Sequence, residues 1–341
     1  MTRKSGIPTI HDVARRARVS VMTVSRSLNT PEKVSARTAA RIKSVMEQLG
    51  YQPSHVARSL VKRRTHTIGI IMPDIKNTFF NSWYRSVDDC ARRMGYTTLL
   101  CNTDENSDSE IKFVKSFQSQ RVDGILIVPH SEEAVKYLVR GGMKFVLVDR
   151  VYHDIESDFI VTDHYDGAFH LTDYLINLGH RRIGVLKGPG VLFPDNERYR
   201  GFIDAVKRNG SKVATDLVRN CEFREAEAFV AVKEMMVRKD HPTALFPFNS
   251  LMTIGAIKAI QEMNLKIPDD VSLACYDEIP GYDIFEPKIT HVLQPIQELG
   301  QRAAMALINK LEKPDHKEKY QLFLKPKLVI GNSCMSLVPG G

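Results

Sequence analysis

From residue 67 to residue 276, short runs rich in Val, Ile and Leu alternate with amphipathic stretches. That alternation narrows the fold sharply. The runs at 68–72, 97–101, 124–128, 145–148, 159–161, 183–186, 244–248 and 271–276 read as buried strands, with helical periodicity between them at 82–94, 167–178, 200–208 and 254–263. Strands separated by helices pair in parallel and are covered by those helices, which predicts an α/β unit. In such sheets ligands bind beyond the C-terminal ends of the strands. A dinucleotide-binding enzyme is the obvious rival. It is disfavoured because the first strand runs into Pro73-Asp74-Ile75-Lys76-Asn77 rather than into a Gly-rich turn opening a helix. Gly188-Pro189-Gly190 reads as a tight loop, and no P-loop, G-x-S-x-G or H-E-x-x-H motif occurs. No catalytic residue and no cofactor are therefore expected.

The first fifth of the chain is different in kind. Residues 1–66 carry 14 Lys/Arg against 3 Asp/Glu, whereas the remainder carries 34 against 37. All the excess positive charge of this 341-residue chain lies in one short segment, the electrostatic footprint of a nucleic-acid-binding module. A disordered basic tail would lack apolar periodicity, yet Ile10, Val13, Ala14 and Ala17 form one helical stripe, with Thr9 placed to cap it. Arg18-Val19-Ser20 makes a tight connection, and Ser20 can cap a second helix whose Val24 and Leu28 face inward. A third helix, burying Ala39, Ile42, Val45, Met46 and Leu49, begins near Ser35 and ends at Gly50. Two short helices joined by a three-residue turn are the helix-turn-helix unit, whose second helix enters the major groove. On its outer face Arg26 can donate to a guanine, while Thr23 and Ser25 can hold phosphates. Double-stranded DNA is thus the expected partner.

Other classes are excluded more simply. No apolar run approaches the roughly 20 residues needed to span a bilayer, and the basic N-terminus lacks the apolar core of a secretory signal. Five scattered cysteines without C-x-x-C spacing read as reduced, buried thiols of a cytoplasmic protein. The histidines show no metal-ligand spacing, so no metal site is expected.

The run from Thr9 to Asn29, with Asp12-Val13-Ala14, Val19-Ser20 and Thr23-Val24-Ser25-Arg26-Ser27-Leu28-Asn29, closely resembles the head of the LacI/GalR family of bacterial regulators. So does Leu49-Gly50-Tyr51-Gln52-Pro53 followed by Ala57-Arg58-Ser59-Leu60. The resemblance continues through Arg121-Val122-Asp123-Gly124, Leu178-Gly179-His180, Glu197-Arg198-Tyr199-Arg200-Gly201-Phe202, Ile267-Pro268-Asp269-Asp270 and Gln294-Pro295. It implies a small all-α helix-turn-helix domain (1–53), a hinge helix and linker (54–66), and a two-subdomain, periplasmic-binding-protein-like (Rossmann-like) sensor domain (67–341). One subdomain would comprise 67–162 and 293–324, the other 163–292 and 325–341. The implied function is a repressor, active as a homodimer near the nucleoid and tuned by a small sugar, sugar acid or sugar phosphate. Without a C-terminal heptad helix the dimer is the default. A transported-solute binding protein and an activator are the alternatives.

The resemblance also implies site residues. Leu60, with Ala57 one turn earlier, would wedge into the minor groove, and Ser54-His55 stand where many relatives have Asn-Arg. Val21 and Met22 open the recognition helix at positions that differ between relatives with different operators; here both are apolar and suit thymine methyls. Thr9, Ser20 and Asn29 complete the DNA-contacting set. In the sensor, Phe79 and Phe80 are candidates to stack on the effector, or else belong to the core. Asp149 and Arg150 are candidates to accept from and donate to it, or else pair structurally. Arg198, Phe223, Asn249 and Asp277 match the effector-contacting positions of the family, or else Asp277 only caps the next helix. With Arg150 and Arg198 both lining the pocket, and with Ser250 and Cys275 departing from the usual pattern, an acidic sugar is the expected effector.

Overall fold

The computed structural model describes residues 8–52, 64–284, 286–313 and 319–338. It divides into two compact units, Met1–Thr65 and His66–Gly341. Among its described residues the first has three α-helices: α1 (Ile10–Ala17), α2 (Val21–Asn29) and α3 (Ala36–Leu49). Thr9 opens α1 in a reciprocal cap, its amide donating to Asp12 Oδ2 at 3.0 Å. Arg18 turns the chain in the left-handed region (φ 51°), and Ser20 Oγ then accepts from the Thr23 amide at 3.1 Å to start α2. The three helices close on Val13, Ala14, Ala17, Val24, Ile42 and Val45. Ala39, Met46 and Leu49 are only half-buried, because so small a core cannot enclose every apolar residue facing it.

The second unit holds two six-stranded sheets of matching design. The first consists of β1 (Thr67–Met72), β2 (Thr97–Asn102), β3 (Gly124–Ile127), β4 (Phe145–Val148), β5 (Phe159–Thr162) and β11 (Gln321–Leu324). The second consists of β6 (Ile183–Lys187), β7 (Val218–Asn220), β8 (Ala244–Pro247), β9 (Ser272–Tyr276), β10 (Thr290–Leu293) and β12 (Lys327–Val329). Their strand orders are β11-β5-β4-β3-β1-β2 and β12-β10-β9-β8-β6-β7, the same path taken twice. All neighbours run parallel except β12, which is antiparallel to β10. The chain passes from one sheet to the other after β5, after β10 and after β11.

Helices α4 (Thr78–Arg93), α5 (Ser107–Gln120), α6 (Glu132–Arg140) and α11 (Ile296–Glu312) accompany the first sheet. Helices α7 (His164–Asn177), α8 (Phe193–Arg208), α9 (Glu225–Met236) and α10 (Ser250–Glu262) accompany the second. Two helices of the first sheet pack closely: a Cβ at Gly300 of α11 would stand 3.0 Å from the Trp83 carbonyl of α4 and closer still to Ser86. The four helices read from periodicity all begin earlier than predicted, at Thr78, His164, Phe193 and Ser250. Asn77 caps α4, its Oδ1 accepting from the Phe79 amide at 3.0 Å, so Phe79 and Phe80 lie in the first turn. Pro194 sits near the start of α8, which carries Arg198 on a helix rather than a loop. Cys90, Cys221 and Cys275 are buried, but Cys101 and Cys334 only partly so. Among the described residues no helix is long and apolar enough to cross a membrane.

Candidate functional site

Two sites emerge, one in each unit. In the first, α2 turns Val24 inward and leaves Arg26 exposed, with Met22 62% exposed beside it. Thr23 and Ser25 are half-buried. The Ser20 hydroxyl lies 2.8 Å from that of Thr23, and Asn29 Nδ2 donates to the Ser25 carbonyl at 3.0 Å, so these polar side chains also brace the helix. The Thr9 hydroxyl donates to Asp12 at 2.7 Å, and this bond holds the Asp12 carboxyl below its usual pKa. An exposed apolar side chain beside an exposed arginine, on a capped helix, suits the edges of bases in a groove. Ser54, His55, Ala57 and Leu60 lie outside the described residues.

In the second unit, loops from both sheets line a cleft with a cavity volume of about 420 Å³. Every contributing loop follows the C-terminal end of a strand. Asn77 follows β1, Glu105 β2, Asp149 and Arg150 β4, Arg198 β6, Phe223 β7, Asn249 β8, Asp277 β9 and Gln294 β10. All eight candidates named from the sequence therefore line one cavity: Phe79, Phe80, Asp149, Arg150, Arg198, Phe223, Asn249 and Asp277.

The backbone around the cleft is strained, and the strain repeats. Ten non-glycine residues among those described have left-handed backbone, and six of them line this cavity. Asp104 and Glu105 (both φ 55°) follow β2, and Glu222 (φ 48°) and Phe223 (φ 57°) follow β7, the equivalent strand of the second sheet. Asp149 (φ 62°) follows β4, and Asp277 (φ 72°) follows its counterpart β9. Each such residue costs roughly 1–2 kcal/mol. Strain of this kind clusters at ligand clamps, where it aims side chains that a relaxed backbone would point elsewhere.

The side chains form two connected groups. In the first half, Arg150, 4% exposed, forks onto Glu105 with bonds of 2.8 and 2.7 Å. His130 Nδ1 lies 2.8 Å from the same carboxylate. Burial opposes the charge on Glu105, but Arg150 and then His130 outweigh it and hold its pKa at about 2. Burial likewise works against Asp149, yet the contact to His164 and the charges of Arg150 and Arg198 hold its carboxyl below the usual value. In the second half, Arg198 stacks 3.8 Å over the Tyr276 ring and donates to the Phe248 carbonyl. Asp277 accepts from Gln294 Nε2 at 2.5 Å. Burial pushes the Asp277 pKa up, and Arg198 offsets this only in part. Asn249 caps α10 through the Met252 amide at 2.8 Å and donates to the Phe223 carbonyl at 3.3 Å. The Phe223 ring lies so close over Gly188 that a Cβ there would stand 2.3 Å from it.

Several expectations are revised by this geometry. Phe79 and Phe80, both buried, belong to the core around Trp83 as well as to the cavity wall. The Arg150 fork is taken by Glu105, and its Nε is 3.9 Å from Asp149, so Arg150 brings no uncompensated positive charge. Asp277 bonds Gln294 instead of capping a helix. Asn77, Glu105, His164, Tyr276 and Gln294 were not named as site residues from the sequence. Among the described residues Arg150 Nε, Arg198 Nε and Gln294 Oε1 are buried without a hydrogen-bond partner.

A helix-turn-helix unit joined in one chain to a two-sheet unit with a polar cleft defines a ligand-responsive DNA-binding regulator. Residues 9–54 match the family model of bacterial regulatory proteins of the lacI family. Residues 65–325 match that of periplasmic binding proteins and the sugar binding domain of the LacI family. The chain belongs to the LacI family and is a DNA-binding transcriptional repressor with an effector-binding sensor domain, not an enzyme. It is 34% identical to the ribose operon repressor of Halalkalibacterium halodurans, over 94% of this chain and 96% of that one. It is 31% identical to the HTH-type transcriptional repressor PurR of Pasteurella multocida, over 96% and 99% of the two chains. Among solved structures, the lac repressor dimer bound to operator and the anti-inducer ONPF superposes with a TM-score of 0.87 at 24% identity, covering 97% of this chain and all of that one. A LacI family regulator from Enterococcus faecium with bound ribose superposes with a TM-score of 0.72 at 26% identity, covering 80% of this chain and all of that one.

Proposed function

We propose that this repressor acts as a cytoplasmic homodimer on operator DNA and that its cleft takes a small neutral sugar of the ribose type. The observation that carries this reading is the charge state of the lining. Of the two buried arginines, Arg150 is neutralised by Glu105, leaving Arg198 to face Asp149 and Asp277. Across the whole lining, acidic side chains outnumber basic ones by seven to four. Such a cleft repels a sugar acid or phosphate. It suits hydroxyl groups, which donate to carboxylates and accept from guanidinium and carboxamide. Phe79, Phe80 and Phe223 supply apolar surface for the C–H faces of a sugar ring. The ribose repressor among the relatives and the ribose held by the Enterococcus faecium regulator support the same reading.

On DNA, two heads reading a near-palindrome must sit about 34–36 Å apart, the arrangement for which the operator-bound lac repressor dimer is the precedent. Effector and operator then alter each other's affinity by one shared coupling, typically about 1–3 kcal/mol. Thermal shift against neutral pentoses and hexoses, sugar acids, sugar phosphates and purine bases tests the effector class. A neutral sugar is expected to raise the melting temperature. Stabilisation by acidic sugars or purines alone overturns the reading. For the head, Arg26→Ala is expected to weaken binding to a selected operator by about 1–3 kcal/mol. Electrophoretic mobility shifts measure this, and an unchanged preference over random duplex removes Arg26 from base reading.

A further inference from the structure

His164 opens α7 at the first passage from one sheet to the other, and its ring is wholly buried. Its Nε2 lies 3.3 Å from Asp149 Oδ1. Its Nδ1 lies 3.3 Å from Arg198 Nη2 and 3.3 Å from the Tyr276 hydroxyl. One ring therefore touches the junction after β4 in the first sheet, and β9 and α8 of the second half. The Nε2–Oδ1 contact is poorly aligned, and among the described residues neither atom has another hydrogen-bond partner.

The chemistry of these neighbours selects one tautomer. A guanidinium only donates, and a carboxylate only accepts. The nitrogen facing Arg198 must carry the lone pair, and the nitrogen facing Asp149 must carry the proton. The opposite tautomer would set N–H against N–H at one end and lone pair against carboxylate at the other.

We propose that His164 is a positioning residue of the effector site: a neutral, Nε2-protonated imidazole that accepts from Arg198 and donates to Asp149. It holds the guanidinium of one half and the carboxylate of the other in a single geometry across the cleft. This rests on the effector reading given above. Asp149 Oδ1 is engaged by the ring, leaving Oδ2 for a sugar hydroxyl.

The neutral state is consistent with the surroundings. Burial, then the charge of Arg198, pushes the His164 pKa below its ordinary value, and Asp149 and Asp277 offset this only in part. The charged groups facing the ring are Asp149 from the β4 junction, Arg198 from α8 and Asp277 from the β9 junction. Tyr276 is the remaining titratable neighbour, and the Phe193 ring lies edge-on at 6.0 Å. The start of α7 adds the positive end of a helix dipole. A second proton on the ring would place an N–H against Arg198 and break the relay. Effector affinity is therefore steady above about pH 6.5, the ordinary histidine pKa, and falls on acidification below it.

The test uses full-length protein labelled with ¹⁵N at histidine, with His164→Gln to assign the resonance and His164→Phe to remove both bonds. The wild-type ring is expected to carry its proton on Nε2 at neutral pH. With D-ribose as probe, H164F is expected to lose about 10- to 100-fold in affinity. H164Q, which keeps one donor and one acceptor, retains most of the affinity but loses its acid sensitivity. A proton on Nδ1, a doubly protonated ring at neutral pH, or an H164F protein that binds D-ribose as tightly as wild type overturns the proposal. Wild-type protein that ignores D-ribose counts against the effector reading instead, and the tautomer then decides the role of His164 alone.

Discussion

The two halves of the sensor unit repeat one another closely and yet treat the same residue type in opposite ways. Asp149 and Asp277 occupy equivalent junctions after β4 and β9, share left-handed backbone and are both buried. Their carboxyls nevertheless depart from the ordinary value in opposite directions. Asp149 is pushed down by His164, Arg150 and Arg198 against the effect of burial. Asp277 is pushed up because burial outweighs Arg198 and the single bond from Gln294. The repeat of the fold fixes where a functional group points, and its neighbours fix its charge. A fold built twice can thus offer one committed acceptor and one carboxyl whose proton is negotiable within a single cleft.

The largest test of this comparison removes the group that both halves share. Arg198 faces Asp149, Asp277 and His164 at once, and it is buried. Arg198→Ala leaves two buried carboxylates without their common counter-charge. The expected cost is about 3–5 kcal/mol of folding stability, with loss of effector binding. Denaturant unfolding measures the first and calorimetric titration the second. A variant as stable as wild type would mean that the halves do not share a charge.

A smaller effect is confined to the first half. Glu105 has a folded pKa of about 2 against an ordinary 4.5. A depressed carboxylate contributes stability above its unfolded pKa and loses it as pH falls through the folded one. Part of the wild-type stability should therefore disappear between about pH 4.5 and pH 2. Glu105→Gln should remove about 2–3 kcal/mol at neutral pH and flatten that acid limb. Unfolding curves across this pH range check both. An acid limb that survives in the variant would assign it to other carboxylates, with Asp149 the first to examine.

Much of the architecture was legible in the sequence, and the reasons it became illegible are local. Buried central strands such as β1, β3 and β4 announce themselves as unbroken apolar runs. The outer strand β7 is short and partly exposed, and Val218–Asn220 offers no such run, while β11 is largely exposed despite Leu322-Phe323-Leu324. The second and third helices of the head were readable because Ser20 and Val24 in the one, and Gly50 at the end of the other, follow cap and core rules that act within one turn. In the cleft local rules act at the caps Asn77 and Asn249, but not at the left-handed residues or the paired charges. Nothing in Asp149, Phe223 or Asp277 signals left-handed backbone, which glycine would normally announce. The pairing of Arg150 with Glu105 spans 45 residues and that of His164 with Tyr276 spans 112, so neither could be read from spacing. Phe79, Phe80, Asp149 and Arg150 were named from their place at strand ends and Arg198, Phe223, Asn249 and Asp277 through family resemblance, and those that were missed hold their neighbours in place.

The finest test applies one substitution at both equivalent junctions. Asp149→Asn exchanges a carboxylate that its surroundings favour for a neutral amide. It weakens the attraction to Arg198 and turns one of two acceptors into a donor beside His164 Nε2. A loss of about 1–2 kcal/mol in stability is expected, the usual cost of spoiling a charged hydrogen bond. Asp277→Asn exchanges a carboxylate that burial disfavours, and the amide oxygen can still accept from Gln294 Nε2. Without effector this variant should match the wild type or gain up to about 1 kcal/mol, because a raised acid pKa marks a charge whose burial is costly. Both variants should lose sugar affinity, since each removes an acceptor from the cleft. Paired unfolding curves at neutral pH separate the two positions, and the difference should shrink at acid pH as both carboxyls protonate. Equal losses at the two junctions would mean that the repeated backbone, and not the neighbouring charges, sets what each aspartate contributes.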